Sequence, residues 1–241
     1  MTTTEIKTKE NIFKSFESLR FDGELAHTAG KRAEALVALQ NLDFPTSRTE
    51  DWKYTKVSGV VKRAYHPTAP IQDLDISSYI IEGADENRLV FVNGYFVREL
   101  SVISSAPEIL IVDNITEAEQ KHPELFAPFF ASKAGHENQI FTALNTAYFT
   151  GGAFIYIKDK AVIERTIHII NLVSGENTIS QPRNLIVAGK HSQAKIIMTF
   201  EALHAKASFV NTVTEVIAKE NAHLAIDKLQ FENNETTHIS T

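Results

Sequence analysis

The chain has 241 residues, 43% of them apolar, with 30 acidic against 24 basic side chains, a net charge of −6 and no cysteine. That length allows one large domain or two modest ones, and the apolar fraction suffices for a sizeable core. No block of Lys or Arg offers an electrostatic footprint for a nucleic-acid backbone, and the absence of Cys excludes a disulfide framework, a thiolate zinc site and a cysteine nucleophile.

The opening MTTTEIKTKE lacks the basic and then apolar segments of a signal peptide. No apolar run approaches the roughly 20 residues that span a bilayer, so a soluble, cytoplasmic protein is the expectation. Residues 1–65 read as an N-terminal helical region. Ile6, Phe13, Phe16 and Leu19 form one intermittent apolar face. Leu25, Ala29, Ala33, Leu36 and Leu39 form a second at spacings of three and four, predicting a helix that ends near Asn41. In PTSRTEDWKYTKV, residues 45–57, Ser47 and Glu50 have the capping-box spacing, and Glu50 and Asp51 suit the first turn of a helix. A third helix is predicted there, with Trp52 starting a packing stripe through Thr55, Val57, Val60 and Val61.

Residues 66–150 read as a mixed segment of strand, hairpin and helix leading into the core. YHPTAPIQDLD is a proline-broken connection. Asn93-Gly94 between LVFV and YFV is a hairpin turn, because both central residues of such a turn need positive φ. EILIVDN, residues 108–114, reads as a strand. Residues 116–149 turn helical again: Thr116 and Glu119 repeat the capping-box spacing, and Ile140, Leu144, Ala147 and Tyr148 share a face before Gly151-Gly152 stops the run.

From 151 to 241 the pattern becomes β: FIYI, TIHIINLV, NLIVA, AKIIMTF, FVNTVTEVI and HLAIDKLQF follow one another. A shift of thirty residues brings Tyr156 onto Ile186 and Val216, Ala188 onto Ala218, Ala194 onto Leu224 and Ile196 onto Ile226. Coinciding apolar positions at one fixed shift favour the first coils of a parallel β-helix over a Greek-key sandwich. The expected fold class is therefore α+β: an N-terminal helical domain followed by a β-solenoid, truncated at its C-terminal end. The end is expected either to continue in a longer protein or to be covered by another copy.

Nine histidines raise the question of a metal. No HExxH, no His pair at helical spacing and no calcium-loop run occurs. Under the thirty-residue shift His191 falls on Asn221, His223 on Gln193 and His204 on Asn234, so no chelating ladder forms. His168 reads as a buried, hydrogen-bonded strand residue, and His136-Glu137 as a helix start. Asp159, Glu164, Glu201, Glu215 and Asp227 are too dispersed for a carbohydrate-active β-helix, which is one of the alternatives. No catalytic, cofactor-binding or metal-ligating residue is assigned.

Certain stretches carry a resemblance. Arg48, Glu50, Trp52 and Tyr54 in FPTSRTEDWKYTKV fit an R-x-E-x-W-x-Y motif. FVNGYF at 91–96, ALNTAYFTGGAFIYI at 143–157, QPRNLIVAGKHSQAKII at 181–197 and FVNTVTEVIAKENAHL at 209–224 follow in order. With these, the whole chain resembles the SufB/SufD family of iron–sulfur (FeS) cluster assembly proteins of the SUF system, and within it the SufD branch. The resemblance implies a right-handed parallel β-helix and a non-catalytic scaffold that docks a SufB-like homologue and works with a SufC-like ABC ATPase. It also implies that this chain stops part-way along the family's length, without the SufC-binding helices. His238 comes too early to be the late histidine held to help ligate a cluster. No cofactor is expected on this chain alone, since a cysteine-free chain cannot hold a cluster by thiolates. The alternative is a protein-interaction module or homodimer without a cluster role.

Overall fold

The computed structural model describes residues 3–21, 24–71 and 73–241, with side chains from residue 9 onward. Helix α1 spans Thr3–Lys14, α2 Ala26–Asn41 and α3 Ser58–Val61. Four strands follow, β1 at Asn87–Val92, β2 at Tyr95–Phe96, β3 at Val102–Ile103 and β4 at Leu110–Asn114. Helices α4 (Ile115–Lys121), α5 (Pro123–Phe126) and α6 (Ile140–Tyr148) lead into β5 (Ala153–Ile157). The rest is β: β6 (Ile167–Glu176), β7 (Ile179–Ser180), β8 (Arg183–Ala188), β9 (Gln193–Lys206), β10 (Ser208–Ala218), β11 (His223–Phe231) and β12 (Thr236–Ser240).

The strands form two six-stranded sheets. One has the order β11-β9-β6-β1-β2, with β3 also on β1; the other runs β12-β10-β8-β5-β4, with β7 on β10. Their interior pairs are parallel, and β5 and β8 are buried along their whole length. That explains why FIYI and NLIVA read as continuous apolar runs: a strand covered on both faces has no polar side. The sheets share one core, to which the first gives Leu89, Phe91, Ile169 and Ile196 and the second Ile155, Ile157 and Ile186.

β10 keeps the thirty-residue offset from β8, and β11 keeps it from β9. Ile186 pairs with Val216, Ala188 with Ala218, Ala194 with Leu224 and Ile196 with Ile226. Tyr156 departs from it and pairs with Val187. The Asn93-Gly94 hairpin also forms, with φ values of 54° and 83° and Phe91 opposite Phe96.

The expected class, a helical N-terminal domain followed by a right-handed parallel β-helix, is corrected. The chain is mixed α/β, with two parallel-dominated sheets and few helices. The N-terminal helices have no core of their own: Ile12, Phe16, Ala35, Leu39, Val60 and Val61 pack with α6 and with Ile179 and Phe209 of the sheets. Nor do the sheets belong to the second half alone as uniform coils. Residues 87–114 supply β1 to β4, and β2, β3 and β4 pair antiparallel with their neighbours. The offset thus describes register within mixed sheets, which a repeat in sequence cannot distinguish from a regular solenoid.

Local details differ too. Ser47 and Glu50 do not cap a helix; Glu50–Trp52 is one 3-10 turn with no side-chain cap, and α3 is a separate short helix. Glu119 does not close a capping box either. Its carboxylate accepts from the backbone N–H of His27 and Thr28 at 3.0 and 2.9 Å, capping α2 from ninety residues away in sequence. Ile6 lies outside the described side chains.

Candidate functional site

Two clusters of titratable side chains differ in what their atoms are free to do. The first lies between β8 and β10. Arg183 follows Pro182 at the start of β8, and its Nη2 donates to Glu215 Oε1 at 2.6 Å while Nη1 donates to Thr146 Oγ1 at 2.7 Å. The Glu215 carboxylate also accepts from the backbone N–H of Ala131, Lys133 and Ala134. Both side chains are fully buried. Burial presses the Arg183 pKa down, and the Glu215 charge opposes that shift. This centre is committed to holding the 131–134 turn against β10.

The second place lies where β9, β11 and β12 meet. The turn after β11 is shaped by Asn233, whose Oδ1 accepts from Glu235 N–H at 3.1 Å and from Thr236 Oγ1 at 3.0 Å. The turn sets Glu232 against His238, and both carboxylate oxygens lie 2.9 Å from His238 Nδ1. On its other side His238 Nε2 faces Lys228 Nζ at 3.1 Å, and Lys228 Nζ donates to Ser240 Oγ at 2.7 Å. The Phe200 ring stands edge-on to His238 at 4.6 Å and under Lys228 at 5.0 Å. Burial lowers the Lys228 pKa, while burial and then the Glu232 charge raise that of Glu201. The arrangement can hold a proton at Nδ1 for the carboxylate and keep Nε2 as acceptor for the ammonium, so carboxylate, imidazole, amine and hydroxyl form one relay. Among the described residues no group of three or more His, Cys, Asp or Glu is placed to hold a metal ion.

This cluster was missed in the sequence. Its signal was the Asn-Asn turn between two β-prone runs, which folds Lys228 and Glu232 back onto His238; without β12 recognised as a strand the three look unrelated.

The residues singled out in sequence fall elsewhere. Arg48, Glu50 and Tyr54 are exposed, Tyr54 at 91%, and Trp52 is half-buried against Phe141 with ring centroids 5.3 Å apart. His168 is buried as expected, its Nε2 3.1 Å from Thr199 Oγ1, and its pKa falls to about 4 through burial and then the Arg88 charge. His223 does pair with Gln193. His136-Glu137 does not start a helix; α6 begins at Ile140, and His136 is buried in the preceding loop. Asp159 accepts from Lys190 N–H, Asp227 pairs with Lys195, Glu164 is exposed and Glu215 is sealed on Arg183, so these acids share no groove. No helix among the described residues is long and apolar enough to cross a membrane.

Comparison with known proteins accounts for both halves of the chain. Residues 5–169 match the family model described as the SufBD protein N-terminal region, and residues 171–241 match the SufBD core domain of the SUF system for FeS cluster assembly. An iron–sulfur cluster assembly SufBD family protein of Synechocystis sp. is 28% identical over 224 residues, covering 88% of this chain and 49% of that protein. SufBD family proteins of Staphylococcus aureus are 25% identical over 166 residues, covering 67% of this chain and 36% of theirs. The chain thus spans about half the length, or less, of these relatives. With both family regions matched in order along the two sheets, this chain belongs to the SufBD family of iron–sulfur cluster assembly proteins.

Proposed function

We propose that the chain acts as a non-catalytic scaffold subunit in SUF iron–sulfur cluster assembly, in the SufD branch of the family, docking a SufB-like homologue and working with a SufC-like ATPase. The observation that carries this reading is the matching of both SufBD regions, at 5–169 and 171–241. The physical argument is one of rigidity. Two parallel-dominated sheets on a shared core present long edges at fixed spacing, and a subunit extending such a sheet aligns side chains across the boundary. Because the chain is cysteine-free, a cluster is cargo of the complex, with its thiolates supplied elsewhere.

Co-expression with a SufB-like homologue tests the reading, with co-purification as the readout. A stable complex is expected. Failure to co-purify with the SufB-like homologue under any salt condition overturns it. Incubation of the chain alone with iron and sulfide is expected to leave it colourless; a stoichiometric cluster on it would overturn the assignment of ligands to the partner.

A further inference from the structure

A cavity of about 440 Å³ opens where the segment after α1, helix α2, strand β2, the start of α4 and the end of α6 come together. Its volume falls in the range of small-molecule sites. Arg32, 5% exposed, forms a fixed wall. The guanidinium is clamped between the Phe21 and Phe149 rings, 3.8 and 3.9 Å from their centroids, and donates to the Ala147 and Phe149 carbonyls. Both oxygens of Glu24 accept from Arg32 Nε, at 2.7 and 2.8 Å. The carboxylate in the lining is therefore already committed to the wall.

The remaining polar groups offer protons. The Tyr95 phenol is half-buried, and burial raises its pKa, which keeps it a donor. Thr116 Oγ1 already accepts from Asn114 Nδ2 at 2.7 Å, so its own proton is available to another acceptor. Ser18 and Thr150 add two more hydroxyls. Arg20 completes the set; its Nη1 donates to the Glu17 and Leu19 carbonyls at 2.7 and 2.8 Å, which steadies a second guanidinium at the lining. Two guanidinium groups thus face one carboxylate, and donors outnumber the acceptors open to them.

We propose that this cavity binds a small oxyanion, a carboxylate or a phosphate monoester, whose short apolar body lies against Leu19 and Phe21. An oxyanion is acceptor-only, so it can take protons from Tyr95, Thr116 and Arg20 together without bringing a donor that the lining cannot match. An amine would meet guanidinium groups and a carboxylate already in use. A neutral alcohol would gain the apolar contact and lose the charge-assisted bonds, which are the stronger ones.

The test uses the full chain with benzyl phosphate and hydrocinnamate as anionic probes, and benzyl alcohol and benzylamine as neutral and cationic counterparts of similar size. By calorimetry at least one anion should bind with a dissociation constant below about 1 mM, more weakly as salt rises; which of the two binds tighter tells phosphate from carboxylate. Amide resonances of Tyr95, Thr116 and Thr150 should shift on titration. Arg20→Gln and Tyr95→Phe should each weaken binding at least about fivefold, with the melting temperature retained. No binding of either anion at about ten times that concentration overturns the proposal. So does equal affinity for benzyl alcohol or benzylamine, a set of shifted amides that leaves out all three residues, or binding indifferent to both substitutions.

Discussion

Arg183 Nη2 meets Glu215 Oε1 at 2.6 Å with neither side chain exposed to solvent, and the same carboxylate caps three backbone N–H groups of the 131–134 turn. Two charges out of water are tolerated only together, since removal of one leaves the other uncompensated. Glu215→Ala should therefore destabilise the chain by about 3–5 kcal/mol in denaturant unfolding. Arg183→Met combined with Glu215→Ala should cost less than the sum of the single changes. Additive losses would show that the pair is not coupled.

Stability should depend on His168 in mildly acidic solution. Its folded pKa of about 4 lies below the ordinary 6.5, so between these values the unfolded chain takes up a proton that the folded chain refuses. Unfolding is then favoured as pH falls through this window, and stability rises with pH across it. The contribution is up to roughly 3 kcal/mol. His168→Gln, which can still hydrogen-bond Thr199, should flatten the pH dependence of the unfolding free energy from 6.5 down to 4.

Two glycines should respond oppositely to alanine. Gly152 has φ 151°, and a Cβ there would sit 1.7 Å from the Arg183 carbonyl oxygen; Gly152→Ala should cost at least about 3 kcal/mol because backbone must move. Gly30→Ala has open space and should stabilise the chain by about 0.5–1 kcal/mol through helix propensity. Thermal melts at low protein concentration distinguish the two.

His238→Ala should loosen β12. The substitution takes away the acceptor of Lys228 and the donor to Glu232, leaving a buried carboxylate and a half-buried ammonium without their bridge. A loss of about 1–3 kcal/mol is expected, read as faster amide exchange over Thr236–Ser240 with β8 and β5 unchanged. Unchanged protection at Val210 and Asn211, which pair with His238 and Ile239, together with unchanged protection in β12, would count against the relay as a structural tie.

Some of this architecture was legible early. Asn93-Gly94 declared its turn because positive φ at two successive residues is a local requirement. The strands β5, β6 and β8 declared themselves because they are buried on both faces over all or most of their length, and β9 and β10 through the buried runs within them. The short β7 and β12 did not: IS and TTHIS are polar or brief, and their strand character comes from pairing with β10.

Sequence alone settled the secondary structure of the buried strands, the thirty-residue offset of β10 from β8 and of β11 from β9, and the family, since periodicity, turn chemistry and motif order are properties of neighbouring residues. Tertiary structure alone decided that residues 87–114 join both sheets, that α2 turns Arg32 inward and Val37 outward, and that Glu119 and Glu215 serve backbone N–H groups 92 and 84 residues away. A carboxylate satisfying distant donors leaves no local pattern. The energy that places it is the cost of burying those donors unpaired, and that cost exists only once the chain has folded around them.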